Sequence, residues 1–368
     1  MPSDPVPSAA ASTPPQALWR RGLWLRLIVA LVLALAFVIA LWPYLRAIPA
    51  DLQIAPAILA AYAATLVPYI LLRAGRWHAL VAPLGDVRRG QTLRVSLAGY
   101  MWIALLPFRL GELARPLFLA QRSEITVQRA LGTVAIERVL DGLVICGLFF
   151  VASAGRTEAE LSRLALGTTG LMAIFFGGLV TLVLMARWPT AAGVVLDATV
   201  GRIWPRLGRW AADLSQGVAQ GLAALPRGGA LSTFVLVTLA YWASNAVGMW
   251  VLARGCDLPL DLSGALLVMA TMNIALLVPG GPAQLGIFQT GVALGLHLAL
   301  PDRAIGDEGS KFAFYLYLGQ LAAIVISGLW AQRSLALDWR AVLTPRVGPT
   351  TNTATNTTTN TATPEDPP

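Results

Sequence analysis

Charged residues are scarce in this sequence of 368 residues, because only 12% of them are Asp, Glu, Lys or Arg. An ordinary soluble domain has about 25%. Apolar residues make up 56% of the chain, and the mean hydropathy is +0.66. This composition excludes a disordered chain, a nucleic-acid-binding domain and a cytosolic globular enzyme.

Cysteine and histidine are also rare, with two of each in the chain. Cys146 and Cys256 are too few for a disulfide framework or a zinc cluster. His78 and His297 are far apart and fit no metal-ligand pattern. Because the sequence contains no hydrolase, nucleotide-binding or metalloprotease motif, we expect no catalytic residues, no metal and no cofactor, and we predict that the protein is not an enzyme.

Long apolar runs, in contrast, are abundant, and a run of about 20 residues is enough to cross a membrane. The clear candidates are residues 23–42, 52–72, 164–186, 231–253 and 312–331. Less regular apolar runs lie at 130–154, which contains charges, and at 93–107, which is short. Two further runs, at 260–279 and 283–300, are separated by Pro-Gly-Gly-Pro. We therefore predict an all-α polytopic integral membrane protein with about eight crossings, counting broken helices.

The two ends of the chain differ in composition from the apolar part. Residues 1–18 are rich in Pro, Ser and Ala, and residues 344–368 form a Thr/Asn-rich tract without apolar periodicity. We predict two disordered tails around one transmembrane domain, residues 19–343. Within that domain, residues 197–225 alternate Arg with apolar residues, which favours either an amphipathic helix on the membrane surface or a helix packed on the bundle.

The distribution of basic residues among the loops predicts the topology. Loops 73–94, 109–129 and 187–227 hold 14 arginines and 5 acidic residues, whereas the loops expected on the other side hold 6 basic and 8 acidic residues. The positive-inside rule places the first set in the cytoplasm. Arginines that flank the first and last spans place both termini there as well. The net charge of +8 therefore requires no nucleic acid as a partner.

The short apolar segment 93–107 does not fit a simple crossing. If it crossed fully, the four arginines of 109–129 would lie outside, against the positive-inside rule. If it enters from the cytoplasm and returns through 112–120, the charge distribution is consistent. Irregular backbone at membrane depth is tolerated only inside protein or beside water. We therefore predict a re-entrant helical hairpin at 93–120 that lines a cavity open to the cytoplasm.

A second break in the apolar pattern resembles the first one. The letters IALLP at 103–107 are matched by IALLVP at 274–279, and a glycine follows each of them. The charge count gives the second hairpin the opposite topology, and such pairs are typical of an inverted repeat with a transport site at its interface. The alternative is a chance similarity of two Leu-rich stretches. The gating residues that we expect at the two breaks are Pro107, Gly111, Pro279, Gly281, Pro282, Gly286 and Gln289.

Two charged clusters lie in or beside the apolar runs. In the first, Glu112 and Arg115 would share a face of a helix and could pair. In the second, Glu137 and Asp141 are four residues apart on one face, with Arg138 beside them. A lone charge at membrane depth costs about 2.5–3.5 kcal/mol, so these groups must face each other, the first cluster or water. A headgroup site or a proton relay is one interpretation, and an ion-pair network that locks helices together is the other.

Residues 105–143, LLPFRLGELARPLFLAQRSEITVQRALGTVAIERVLDGL, resemble the signature of the flippase-like membrane domain of bacterial lysylphosphatidylglycerol synthases. In that family LLP and RLGE precede an arginine and, later, an ERVLDG helix. Residues 73–77, RAGRW, resemble its Arg-rich stretch, and VPGGPAQLGIFQ at 278–289 resembles its LPxxPGGxGxxE segment. The resemblance covers roughly residues 20–335. Ala283 and Gln284 stand where the family usually has two glycines, and Gln289 stands where it has Glu.

The resemblance implies a multi-pass protein of the bacterial inner membrane with two repeat-related re-entrant hairpins. It also implies movement of a lipid or a lipid-linked sugar between leaflets. The full synthases carry a soluble aminoacyltransferase domain after the membrane domain, and because only a short tail follows Leu343 here, lysyl transfer is not expected from this chain. Relatives without that domain have been linked to other lipid pathways, so the candidate lipids are a phospholipid, a hopanoid and a polyprenyl-linked sugar.

The leading hypothesis is a lipid translocase with a charged cleft open to the cytoplasm and a second hairpin that gates the outer side. The arginines of the cleft would bind phosphate oxygens, because their planar fork suits that geometry. The cleft residues would be Arg109, Glu112, Arg115, Glu137, Arg138 and Asp141. The alternatives are a non-transporting scaffold or accessory subunit of a lipid-modifying enzyme and, less favoured, a membrane enzyme that acts on lipid phosphate.

Overall fold

The structure is a computed structural model that describes residues 52–106, 111–154, 159–188, 229–278, 282–300 and 306–337, with a few isolated positions between them. Several predicted features lie outside the described residues. These are the first span at 23–42, both tails, nearly all of the amphipathic segment 197–225, and the site candidates Pro107, Arg109, Pro279 and Gly281.

Every regular element in the described residues is helical, which confirms the all-α prediction. The α-helices are α1 (Pro56–Arg76), α2 (His78–Val81), α3 (Arg89–Leu105), α4 (Ala114–Ala120), α5 (Val127–Ser153), α6 (Ala159–Arg187), α7 (Gly229–Gly255), α8 (Leu262–Ala275), α9 (Ile287–Ala299) and α10 (Asp307–Leu335). Short 3-10 turns follow α2 at Ala82–Leu84 and precede α9 at Pro282–Gln284.

Four helical stretches of the described chain are long and apolar enough to cross a membrane. They are Pro56–Leu84, Leu164–Met185, Ser232–Gly255 and Asp307–Leu335, and each contains most of a span predicted from the sequence. On α6, apolar side chains such as Leu166 and Ile174 are 76% and 70% exposed, as expected for a helix whose outer surface contacts lipid. The protein is therefore a multi-pass membrane protein.

Glycines allow the long helices to pack closely. Gly248 of α7 lies against Thr65 of α1, and Gly328 of α10 lies against Met101 of α3. Small residues at such contacts let two backbones approach, which increases the packing contacts that hold membrane helices together. The pairs α1–α7 and α3–α10 form the frame around the remaining elements.

Helices α3 and α4 form an antiparallel hairpin whose tip is the first break. Gly111, just after the break, packs against the backbone of Trp102, and the side chain of Arg115 crosses Gly99. As the chain advances from Gly111 to Arg115, the contacted residue moves back from Trp102 to Gly99, so the two helices are antiparallel. At its base, Gln91 Nε2 donates to the carbonyl of Arg122 at 2.6 Å.

Helices α8 and α9 form a second antiparallel hairpin around the second break. A Cβ on Gly291 would lie 2.8 Å from the Cα of Met272, and a Cβ on Gly295 would lie 2.7 Å from the Cα of Val268. The helices have 14 and 13 residues, so each is about 20 Å long and shorter than a hydrocarbon core of about 30 Å. At the open end of this hairpin, Asp261 caps α8 by accepting from Gly264 N at 2.7 Å.

The two hairpins lie at opposite ends of α5. The base of the first hairpin leads directly into the beginning of α5 at Val127. The base of the second hairpin contacts Arg156, which lies just beyond the end of α5. Arg156 donates to the carbonyl of Ala299 at 3.3 Å and to Ser263 Oγ at 2.9 Å. Since α5 has 27 residues and is about 40 Å long, the hairpins approach its middle from opposite directions.

Candidate functional site

The carboxylate of Glu137, in the middle of α5, is the centre of a buried ion-pair network. Arg76 Nη2 lies 2.9 Å from its Oε1, and Arg115 Nη1 lies 2.6 Å from its Oε2. The side chains of all three residues have no exposed area. Arg138 adds a third contact, 3.2 Å from Oε1. Each oxygen of Glu137 therefore has a charged partner, which offsets the large cost of burying this carboxylate.

The carboxylate of Asp141, one turn further along α5, extends the network toward α1 and α7. Arg76 Nη2 lies 2.7 Å from Asp141 Oδ2, and Arg138 Nη2 lies 3.2 Å from the same oxygen. Tyr241 donates its hydroxyl to Oδ1 at 2.9 Å, and Arg76 Nη1 donates to Thr238 Oγ1 at 3.0 Å. The prediction that Glu137 and Asp141 share a face is confirmed, since both of them bind Arg76.

Aromatic rings enclose two of these arginines. The guanidinium carbon of Arg115 lies 5.0 Å from the ring centroid of Trp77 and 4.9 Å from that of Tyr100. The guanidinium carbon of Arg76 lies 4.7 Å from the ring centroid of Tyr241. Such cation–π contacts strengthen when water is excluded, so the rings and the carboxylates together hold the two cations in place.

The predicted pairing of Glu112 with Arg115 is wrong. Glu112 lies before α4 begins, in a short 3-10 turn, so the spacing of an α-helix does not apply to the pair. Arg115 reaches past Gly99 to Glu137 instead. Glu112 has a different partner, Arg138, whose Nη1 lies 3.9 Å from Oε1. The two charged clusters therefore combine into one network through crossed pairs.

A cavity of about 350 Å³ lies beside this network and is lined by both charged and apolar side chains. Its charged residues are Arg73, Glu112, Arg138 and Asp141, and its neutral polar residues include Tyr100, Asn273, Gln284 and Gln320. Its apolar residues include Ile103, Ile145, Phe175, Met272, Leu276, Phe288, Leu321 and Ile324. The volume is within the range of about 300–1,000 Å³ that is typical of ligand sites. The combination suits an amphiphilic molecule.

Arg73 differs from the other arginines of this region because it has no carboxylate within ion-pair distance among the described residues. Its Nη1 donates to the Tyr69 hydroxyl at 2.9 Å, and its guanidinium carbon lies 4.5 Å from the ring centroid of Tyr100. With Arg73 included, the described part of this region holds four arginines and three carboxylates, and one positive charge is left without a counter-charge.

The tips of both hairpins reach the cavity. Ala104 and Glu112 contribute from the first, and Leu277, Ala283 and Gln284 from the second. Ala283 and Gln284 have φ of 55° and 56°, in the left-handed region that favours glycine.

Two hydrogen bonds hold the described part of the tip of the second hairpin. Tyr317 of α10 donates its hydroxyl to the carbonyl of Ala283 at 2.9 Å. Gln289 Oε1 accepts from the backbone N–H of Gly286 at 2.8 Å and closes the first turn of α9. Gly286 has a positive φ of 85°. Of Pro282, the structure describes only the backbone.

The residues predicted for the site do not include Arg73, Arg76, Tyr100 and Tyr241, which contact the network or line the cavity. Arg73 and Arg76 were assigned to a cytoplasmic loop because they follow an apolar run of sufficient length. The helix continues through Arg76, which is 4% exposed. Their spacing of three residues was the available signal, because it places both on one helical face at the end of a span. The two tyrosines carry no signal in a sequence of this composition.

The fold is that of a polytopic membrane protein with an internal site. The site consists of charged groups buried at the middle of a long helix and a cavity between the tips of two hairpins. The family described as Lysylphosphatidylglycerol synthase TM region matches residues 23–306, and the chain belongs to this family. The match is to the transmembrane region, and no catalytic domain was matched. No curated protein and no solved structure gives a significant match to the chain.

Proposed function

We propose that this protein is a lipid translocase that moves lipids with a charged headgroup between the leaflets of the bacterial inner membrane. The observation that carries the proposal is a cavity lined by both charged and apolar side chains. A headgroup would bind along Arg73 and Arg138, and the first methylenes of the acyl chains would contact the apolar residues of the lining. The lipid crosses unchanged, so no catalytic step is part of the proposal.

The charged residues divide into two groups with different roles in this proposal. Arg76, Arg115 and Glu137 are completely buried and bonded to one another, so they fix the positions of α1, α4 and α5. Arg138 and Glu112 retain 27% and 21% exposure of their side chains, and both line the cavity. Groups that remain accessible at membrane depth are the ones that a substrate can contact.

The two hairpins supply the access routes in this proposal. Each is interpreted as a re-entrant element, because α8 and α9 are too short to cross alone and irregular backbone is tolerated where it lines a cavity. Their approach from opposite ends of α5 supports an inverted repeat with the site at its interface. The first hairpin would open the cavity to the cytoplasm, on the side where the positive-inside rule would also put both termini, and the second would gate the outer side.

The proposal is tested with the purified full chain in phosphatidylcholine vesicles that contain a trace of acyl-labelled fluorescent phosphatidylglycerol. Dithionite bleaches only the outer leaflet, so bleaching of the remaining label reports translocation. We expect the wild-type chain to expose the inner-leaflet label. The double variant Glu112→Ala/Arg138→Ala should lose this activity, and Arg88→Gln, at an exposed arginine outside the cavity, should keep it.

Translocation that is unaffected by the double variant would overturn the assignment of the cavity as the transport site. Thermal unfolding in detergent distinguishes a specific loss of transport from misfolding of the double variant. A double variant that unfolds near the wild-type temperature but does not transport supports a role in transport.

A second candidate function is a scaffold or accessory subunit of a lipid-modifying enzyme. The observation that favours it is the saturation of the buried half of the network, since every oxygen of Glu137 and Asp141 is already bonded. In that case the partner enzyme should decrease in abundance in cells that lack this chain, and the double variant should restore it. Affinity purification of the tagged full chain and quantification of the partner enzyme would distinguish the two functions.

A further inference from the structure

The polar atoms that line the cavity are unequally supplied with partners. Among the described cavity residues, four buried donor atoms have no acceptor, and one buried acceptor atom has no donor. The donors are Arg73 Nε, Arg138 Nε, Trp242 Nε1 and Gln320 Nε2, and the acceptor is Glu112 Oε2. Because a buried polar atom without a partner is costly, a ligand that brings acceptors to this cavity would recover part of this cost.

Two of these donors are well buried and belong to helices without charged residues at the cavity. Trp242 of α7 is 3% exposed, and Gln320 of α10 is 8% exposed. An indole N–H and an amide NH₂ can only donate. They contribute neutral donor groups beside the cationic groups of Arg73 and Arg138. The cavity therefore offers both charge and neutral hydrogen bonds to an acceptor-rich ligand.

A headgroup with an ammonium group fits this arrangement poorly. An ammonium group brings three donors and a positive charge, so it needs carboxylates. The cavity offers Glu112 and Asp141, and both already lie near Arg138, at 3.9 and 3.2 Å. Asp141 is in addition bonded to Arg76. The unpaired charge of Arg73 would repel a further cation, and this repulsion is strong where water is excluded.

From these observations, and on the basis of the proposed function, we infer that the cavity selects lipids whose headgroup is net negative, rich in hydrogen-bond acceptors and free of amines. The shared chemistry is a phosphate ester with neutral hydroxyl or ester oxygens near it. Arg73 is the specificity-determining residue, because it supplies the positive charge that no carboxylate neutralises. Trp242 and Gln320 bind the neutral oxygens. Phosphatidylglycerol has all of these features. A polyprenyl phosphate has the amine-free anionic phosphate ester but no hydroxyls, whereas phosphatidylethanolamine carries an amine.

Binding is measured directly by native mass spectrometry of the delipidated full chain in detergent. The chain is mixed with equal amounts of phosphatidylglycerol and phosphatidylethanolamine that have the same acyl chains. A second mixture replaces phosphatidylglycerol by polyprenyl phosphate, which distinguishes the two sources of the phosphate ester. We expect the wild-type chain to bind the anionic lipid of at least one mixture roughly tenfold more than phosphatidylethanolamine, since charge-assisted bonds discriminate at this level.

Three variants assign the selectivity to residues. Arg73→Gln should reduce the preference for the anionic lipid to near one. Trp242→Phe keeps the ring and removes the donor, so it should weaken binding of the anionic lipid several-fold. Arg88→Gln changes an exposed arginine outside the cavity and should leave the preference unchanged.

Equal binding of the anionic lipid and phosphatidylethanolamine, or a preference for the latter, would overturn the inference. An undiminished preference in Arg73→Gln would overturn the role of Arg73. The outcome is separable from that of the proposed function. Selective binding without movement in the vesicle assay refutes translocation and keeps the inference, whereas movement of both lipids at equal rates with equal binding keeps translocation and refutes the inference.

Discussion

Arg76 and Glu137 are 61 residues apart in the sequence, but Arg76 Nη2 lies 2.9 Å from Glu137 Oε1, and neither side chain is exposed. This ion pair joins the end of α1 to the middle of α5. It also fixes the position of Asp141, which shares the same Arg76 nitrogen. The arrangement of the cavity lining therefore depends on a pair of which neither member lines the cavity itself.

The first prediction concerns this pair. Arg76→Met should destabilise the protein by about 3–5 kcal/mol, because it leaves two buried carboxylates with fewer partners. The midpoint of thermal unfolding in detergent should fall clearly. Arg88→Met, which removes an equivalent charge from an exposed position, is the control and should shift the midpoint little. A midpoint unchanged by Arg76→Met would contradict the buried network.

Part of this network can be predicted from the sequence, but the pairing of its residues cannot. Glu137, Arg138 and Asp141 could be placed on one face of a helix because spacing within a helix is a local property. The pairing of Arg76 with Glu137 could not be predicted, since it depends on how α1 packs beside α5. The error at Glu112 and Arg115 has a local cause, because a 3-10 turn ends just before α4 and breaks the helical spacing.

The positions of the two helix breaks can be predicted from the sequence more readily than the site between them. Pro and Gly in apolar sequence indicate breaks, and both breaks lie where they were expected, between α3 and α4 and between α8 and α9. The cavity also needs Trp242 of α7 and Gln320 of α10, which lie in otherwise apolar spans. Nothing in their local sequence indicates which helix face points inward.

A second prediction concerns the tip of the first hairpin. A Cβ on Gly111 would collide with the backbone at Trp102, which cannot move away as a flexible side chain could. Gly111→Ala should therefore lower the yield of folded protein and its unfolding midpoint. Gly90→Ala is the matched control, because a Cβ there meets nothing within 4 Å and lies in the first turn of α3. It should be neutral or stabilising by about 0.5–1 kcal/mol.

Equal effects of the two alanine substitutions would show that the first hairpin does not pack as described. The comparison is made on protein purified in the same detergent, with the midpoint of thermal unfolding as the readout. Both variants add the same methyl group, so differences in hydrophobicity do not contribute.

A third prediction concerns the tip of the second hairpin. Ala283 has a φ of 55°, and a left-handed conformation costs an L-residue roughly 1–2 kcal/mol. Ala283→Gly should relieve this strain and raise the unfolding midpoint. The control is Ala270→Gly in the interior of α8, where glycine should destabilise by about 1 kcal/mol.

Opposite signs for these two substitutions are the expected result. If Ala283→Gly lowers the midpoint as much as Ala270→Gly does, then Ala283 is not in the left-handed conformation.

The central claim is that the chain moves an anionic lipid between leaflets by binding its headgroup at Arg73. Leaflet-resolved lipid mass spectrometry of cells with and without the gene tests it most directly. We expect one anionic, amine-free lipid to change its distribution between the leaflets when the gene is absent. The wild-type chain should restore the distribution, and Arg73→Gln, expressed at the same level, should not. A distribution of every anionic lipid that is identical in the two strains would contradict the claim.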